Sequence, residues 1–156
     1  MLKLIIMNNE EFDNYMENSI VHYAKELVNS GAYKEEDSLK VSKETFNRFL
    51  PDALNTKRHN IMNILNEHGE KIGMIWYGPK GNQDSDEAFI YDFSISEDFR
   101  GKGYGKECLS FIEDEAKNNN FNKISLHVFG HNKRAIGLYK KMGYEPFSMH
   151  MSKEIK

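Results

Sequence analysis

RGKGYGKE, residues 100–107, packs three glycines, an arginine and two lysines into eight positions. Gly101, Gly103 and Gly105 alternate. The segment before them, EAFIYDFSI at 87–95, is rich in aromatic residues and Ile and reads as a strand. After them, Cys108, Leu109, Ile112 and Ala116 line one helical face, with Phe111 beside it. The glycines therefore sit between a strand and a helix. A helix start leaves backbone N–H groups unpaired and carries partial positive charge. Glycine lets a backbone approach a ligand closely and accepts positive φ. Together these make an anion site, most often for phosphate, and Arg100, Lys102 and Lys106 add charge. A tight strand-to-helix turn with no ligand is the plain alternative. Counting excludes two nucleotide motifs. From Gly101 the sixth position of G-x-G-x-x-G is Lys106, and the G-K pair at 105–106 is followed by Glu107 rather than Ser or Thr.

Working outward, LKLIIM at 2–7 reads as a first strand. Residues 10–30 read as a helix, with Phe12, Tyr15, Met16, Ile20, Tyr23, Ala24 and Leu27 near a 3.6 period and Gly31 at its end. A second helix is expected over 38–50, stopped by Pro51. HNIMNIL (59–65) and KIGMIWYG (71–78) flank a polar, Gly-containing turn and predict a hairpin. PKGNQDSD at 79–86 is a turn cluster. KISLHVF (123–129) predicts a strand, 132–142 a helix ended by Gly143, and YEPFSMHMSKEI one or two closing strands. This order defines one mixed α/β domain over residues 1–156.

The bounds agree. The chain has 156 residues, enough for a core without disulfides or metals. A net charge of −3 gives no sign of a nucleic-acid binder. The single cysteine, Cys108, excludes a disulfide framework and suits a reducing, cytoplasmic setting. The opening MLKLII is too short for a signal peptide, and no apolar run of about 18 residues predicts a membrane span. The histidines show no metal-ligand spacing, so no metal is expected.

A third glycine pattern does fit. Residues 100–105 match [QR]-x-x-G-x-[GA], with Ile95 in the strand before them, and here the chain resembles the GNAT superfamily of N-acetyltransferases. HNKRAIGLYKKMGYE (131–145) is similar to that family's second motif, with Asn132, Ala135, Tyr139, Gly143 and Tyr144 at matching spacings. The resemblance covers residues 87–148 and the hairpin order before them. It implies a mixed, mostly antiparallel sheet flanked by helices, with two splayed parallel strands near the centre. Acetyl-CoA would lie between those strands as cosubstrate. Its pyrophosphate would rest on N–H groups of Arg100, Gly101, Lys102, Gly103, Tyr104, Gly105 and Lys106. Backbone groups of Phe93, Ser94 and Ile95 would meet the pantetheine arm, and Asn132 would hydrogen-bond it. Tyr139 would aim its hydroxyl at the sulfur.

The implied reaction is direct acetyl transfer to an amine in a ternary complex. An amine with a pKa of about 10.4 must lose a proton first. A strand bulge in 87–96 would free an N–H for the oxyanion. A phenol can return a proton to the departing thiolate. Candidate bases are Asp92, Glu87 and His127. Strict alternation puts Tyr91, Phe93 and Ile95 on one face and Ile90, Asp92 and Ser94 on the other. Outside the motif, Tyr139 reads as core packing and Asn132 as a helix N-cap. Cys108 reads as buried and inert, KEED at 34–37 as a solvated loop or helix start, and Met142, Met149 and Met151 as core or strand filling. The acceptor, a small amine or a peptide amine, is not legible. Tyr15, Tyr23, Tyr33, Phe46, Trp76 and Tyr77 read as an acceptor pocket or as ordinary core. The chain is expected as a monomer or homodimer. The alternatives are a non-catalytic CoA-binding module on the same fold and a phosphate-anchored module, which leaves the second motif unexplained.

Overall fold

A computed structural model describes all residues, 1–156. The chain runs β1 (Lys3–Ile6), α1 (Asn9–Asn29), α2 (Glu35–Phe49), β2 (Asn60–Leu65), β3 (Lys71–Pro79), β4 (Glu87–Ile95), α3 (Tyr104–Asn118), β5 (Lys123–Leu126) and α4 (Lys133–Lys141). The five strands form one sheet in the order β1-β2-β3-β4-β5. The first four pair antiparallel, and β5 joins β4 parallel.

Local chemistry sets the element ends. Asn8 and Glu11 form a reciprocal capping box: the Asn8 side chain accepts from the Glu11 N–H at 2.8 Å, and the Glu11 carboxylate accepts from the Asn8 N–H at 3.0 Å. The KEED run opens α2. The Ser42 hydroxyl donates to the Ile20 carbonyl at 2.7 Å and ties α2 to α1. Gly143, at φ +92°, closes α4 as Tyr144 N–H reaches back to Tyr139 O.

Each sheet face has its own core. One gathers Ile64, Ile72, Ile75, Tyr77, Ala88 and Ile90 against Leu109, Ile112 and Ala116 of α3, with Leu138, Tyr139 and Met142 of α4 at its margin. The other joins Met7, Phe12, Leu50, Ile61, Met74 and Trp76 under α1 and α2. Ile64, Ile72, Ile75 and Ile112 are fully buried, and each contributes about 1.5–3 kcal/mol by leaving water.

Four expectations change. No closing strand forms: residues 143–156 carry no regular structure and 145–156 make no backbone hydrogen bond. Consequently the parallel pair lies at one edge of the sheet rather than near its centre. β5 stops at Leu126, so His127, Val128 and Phe129 leave the ladder. Met142 is half-buried, whereas Met149 and Met151 are exposed.

Candidate functional site

The site begins where two strands part. Pairing of β4 with β5 ends at Ile90 opposite Leu126, while β4 continues to Ile95. Backbone groups of Tyr91 to Ile95 on that side have no β5 partner. The resulting cleft, about 190 Å³, is lined by Tyr91, Asp92 and Phe93 from β4, by the 126–129 segment, and by Asn132, Ala135 and Tyr139 at α4.

β4 also carries a bulge. Across β3, Trp76 faces Asp92 and Tyr77 faces Ile90, so Tyr91 has no opposite number. The extra residue breaks the alternation expected from sequence. Ala88 and Ile90 before it, and Phe93 and Ile95 after it, all meet the α3 side of the sheet. Tyr91 and Asp92 both turn to the α1 side. Tyr91 stacks on Trp76 with ring centroids 4.6 Å apart, and Asp92 accepts a 2.6 Å hydrogen bond from Tyr15. Because the strands have parted, residues from both faces reach one cleft.

The glycine stretch lies at the same end of β4. Gly101 and Gly103 hold φ of +77° and +85°, and Gly103 caps α3 without a side-chain bond. The N–H groups of Gly101 through Lys106 have no backbone acceptor; the first helical bond runs from Glu107 N–H to Gly103 O. This row of free donors stands at a helix N-terminus. Gly105 serves packing instead. A Cβ there would come within 3.1 Å of Leu138 on α4. Arg100 donates from Nε to the Ile95 carbonyl at 2.8 Å, bracing the loop against the strand end. The Tyr104 side chain turns away, its hydroxyl 3.3 Å from the Glu67 carboxylate in the hairpin turn. Lys102 and Lys106 are exposed.

On α4, Asn132 caps the helix by accepting from Ala135 N–H at 3.3 Å. Tyr139 is half-buried, and burial, then the Asp92 charge, raise its pKa above the ordinary tyrosine value. It therefore keeps its proton through the neutral range.

The structure brings Asp92, Phe93, His127, Asn132 and Tyr139 to one cleft and leaves Glu87 outside it. Glu87 accepts from the Ser125 hydroxyl at 2.6 Å and pairs with Lys80 at 3.1 Å and Lys123 at 3.9 Å. The Ser125 bond, then Lys80 and Lys123, hold its carboxyl below the usual range. His127 is exposed, its ring edge-on to Phe129. Cys108 is buried, and its thiol is pushed up to about 12 by burial and then Glu107.

Two further residues belong here: Arg134, absent from the sequence reading, and Tyr15, read there only as an acceptor-pocket or core aromatic. Tyr15 reaches Asp92 from α1, 77 positions away. Arg134, in the HNKRA run, stands beside the glycine loop: a methyl on Gly101 would lie 4.0 Å from its guanidinium. Of the aromatics, Trp76 and Tyr77 are core and Tyr33 is exposed. Phe46 stacks on Trp76 and meets Tyr23 edge-on.

The parallel pair thus parts at a strand bulge beside a glycine-opened helix, and the profile of the Acetyltransferase (GNAT) family matches residues 23–144. The chain belongs to that family. It is 36% identical over 154 residues to the N-acetyltransferase YycN of Bacillus subtilis (strain 168), covering 99% of both chains. The N-acetyltransferase YdgE of the same organism is 33% identical over 149 residues, covering 96% of this chain and 95% of its own. The crystal structure of YycN superposes with a TM-score of 0.86 at 35% identity, over 100% of this chain and 99% of that one.

Proposed function

We propose that this chain transfers an acetyl group from acetyl-CoA to an amine, directly, within a ternary complex. The observation that carries the reading is the row of unbonded N–H groups from Gly101 to Lys106, which follows the end of β4 that extends beyond its pairing with β5. The residues fit the cosubstrate. A pyrophosphate suits the glycine-lined helix start, with Lys102, Lys106 and Arg134 supplying charge. An extended amide chain suits the edge of Phe93, Ser94 and Ile95, which has no β5 partner, as an added strand would. Asn132 borders the same gap.

Acetyl-CoA supplies an activated acyl carbonyl. The protein's residues do the rest. Asp92 is the only carboxylate lining the cleft; it receives the acceptor ammonium and takes its proton, directly or through water. The bulge at Tyr91 releases a backbone N–H from the β3 ladder to steady the oxyanion. Tyr139, held protonated, returns a proton to the departing sulfur. Positioning of two bound substrates supplies much of the acceleration.

The test has two stages. Acetyl-CoA should raise the melting temperature in a concentration-dependent way, by about 2.7 kcal/mol of stabilisation at a hundredfold excess over Kd. An amine panel should then give thiol release. Absence of any thermal shift in folded protein removes the reading. A shift without thiol release across the panel leaves a CoA-binding module.

A further inference from the structure

Between Ala88 and Ile95, Tyr91 is the one residue with no opposite number on β3. A bulge disrupts the ladder locally, so other contacts must specify where along the strand it sits. Here the Tyr91 side chain supplies them. Its hydroxyl donates to the Pro79 carbonyl, at the end of β3, at 2.6 Å. The Gly81 N–H adds a longer bond to the same oxygen, at 3.4 Å. Burial raises the Tyr91 pKa above the ordinary tyrosine value, so the hydroxyl stays a donor through the neutral range.

The ring is held as well. It stacks on Trp76 with the planes inclined at 20°, and it meets Phe49 of α2 and Phe89 of β4 at centroid distances of 5.0 Å. Trp76 is fixed in turn, its indole N–H donating to His59 Nδ1 at 3.0 Å. His59 occupies space that Gly78 leaves open: a Cβ on Gly78 would come within 2.4 Å of the same nitrogen. On the next residue, Tyr15 ties the Asp92 carboxylate. Both residues that turn toward α1 are therefore anchored by their side chains, and both border the cleft. A shift of the bulge along β4 would break the hydroxyl bond and the ring stack together.

We infer that Tyr91 is a positioning residue for acetyl transfer: its side chain, fastened from the α1 side, fixes the bulge at this point of β4 and so fixes the backbone N–H that meets the oxyanion. Tyr91 acts through its own backbone, and neither its ring nor its hydroxyl takes part in the chemistry. Oxyanion donors work because they are aimed before the charge develops. A misplacement of about 1 Å is enough to forfeit much of that effect. The kinetic consequence rests on the acetyl-transfer reading; the holding of the bulge does not.

Two measurements test it. Amide exchange needs no substrate. Tyr91→Leu should speed exchange across residues 90–93, whereas Leu50→Ala, which loosens the same apolar cluster from the end of α2, should not. Single-turnover kinetics with acetyl-CoA and a panel amine form the second arm. Tyr91→Leu should slow acetyl transfer by about 10- to 100-fold and leave the thermal shift produced by acetyl-CoA unchanged. Leu50→Ala should lower the melting temperature and keep the parental transfer rate. Tyr91→Phe keeps the ring and loses the Pro79 bond, so it should recover most of the loss. If Tyr91→Leu fails to fold, Tyr91→Phe carries the test, with faster exchange at 90–93 and a smaller fall in transfer rate. Parental exchange at 90–93 overturns the inference. So does a parental transfer rate in the Tyr91 variant, a loss confined to acetyl-CoA affinity, or an equal fall in Leu50→Ala. A parent that binds no acetyl-CoA or transfers no acetyl group overturns the acetyl-transfer reading itself, and the exchange arm then decides separately whether Tyr91 holds the bulge.

Discussion

The hydroxyl of Tyr15, on α1, donates a 2.6 Å hydrogen bond to the carboxylate of Asp92 on β4. Burial, and then the Asp92 charge, push the Tyr15 hydroxyl far above the ordinary tyrosine range, so it remains a donor at every working pH. One carboxylate oxygen is thereby fixed from the helical side while the cleft reaches the same residue. Removing the hydroxyl separates orientation from charge. Tyr15→Phe should lower stability by about 1–2 kcal/mol, as for a bond to a half-exposed charged group. It should lower turnover less than loss of the carboxylate does. Denaturant melts and steady-state kinetics on both variants check this, and equal loss of turnover from each would contradict it.

Asp92→Asn keeps an oxygen to accept from Tyr15 while removing the charge. Turnover should fall about 10²- to 10⁴-fold, the usual contribution of a positioned base. Wild-type turnover would move the base role to His127 or to water.

Tyr139→Phe preserves the ring beside Tyr144 and removes only the proton donor. Acetyl-CoA binding should change little, and kcat should fall by roughly 10- to 1,000-fold where water partly substitutes. Because its pKa is raised, by burial first and Asp92 second, any basic limb due to Tyr139 should lie above the ordinary value of about 10. A wild-type kcat with chemistry shown to be rate-limiting would leave Tyr139 a packing residue.

Gly103 and Gly105 should fail differently. A Cβ on Gly103 meets nothing within 4 Å, so Gly103→Val is hindered by its φ of +85° and by the ligand space it fills. Calorimetric titration should show loss of acetyl-CoA binding, with a fold cost of about 1–2 kcal/mol. Gly105→Val instead presses on Leu138 and should lower stability by about 1–3 kcal/mol through overpacking. Unchanged affinity in Gly103→Val would place the ligand elsewhere.

His59 supplies a stability effect from behind the cleft, its ring centre 5.5 Å from that of Tyr91. Its Nδ1 accepts from the Trp76 indole at 3.0 Å, and burial lowers its pKa to about 4. In the unfolded chain it titrates near 6.5. Between those values the unfolded state binds more protons, so stability falls as pH drops from about 6.5 toward 4. The contribution is about 1–2 kcal/mol after allowing for solvent screening. His59→Gln should flatten that part of the stability–pH curve; an unchanged slope would assign it to other groups.

Element order was readable from the sequence because each element carries its own periodicity. Apolar spacing in 9–29, the polar turn between β2 and β3, and the glycines before α3 are local signals. What depends on distant neighbours was not readable. Tyr15 joins the site through a fold contact spanning 77 positions. Glu87 is drawn away from it by Lys80, Lys123 and Ser125. The strand character of 147–152 was legible, but a strand needs an edge, and its own chain leaves that edge unpaired. Strict alternation failed at Tyr91 because a bulge is a two-strand property, visible only once Trp76 and Tyr77 are aligned opposite.

That bulge divides β4 into two half-strands of opposite parity. Even-numbered residues face α3 before it and odd-numbered residues do so after it. A single-residue deletion at Tyr91 would set Ile90 and Asp92 opposite Tyr77 and Trp76 in a regular ladder, and every side chain beyond would keep its side. What would be lost is the Tyr91 ring stacked on Trp76 and the local bend of the strand, so the glycine loop would be handed a straighter strand end. The extra residue at this one point therefore sets the course of the strand, whereas the turn at 80–86 lies outside the strands and can lengthen or shorten without altering it.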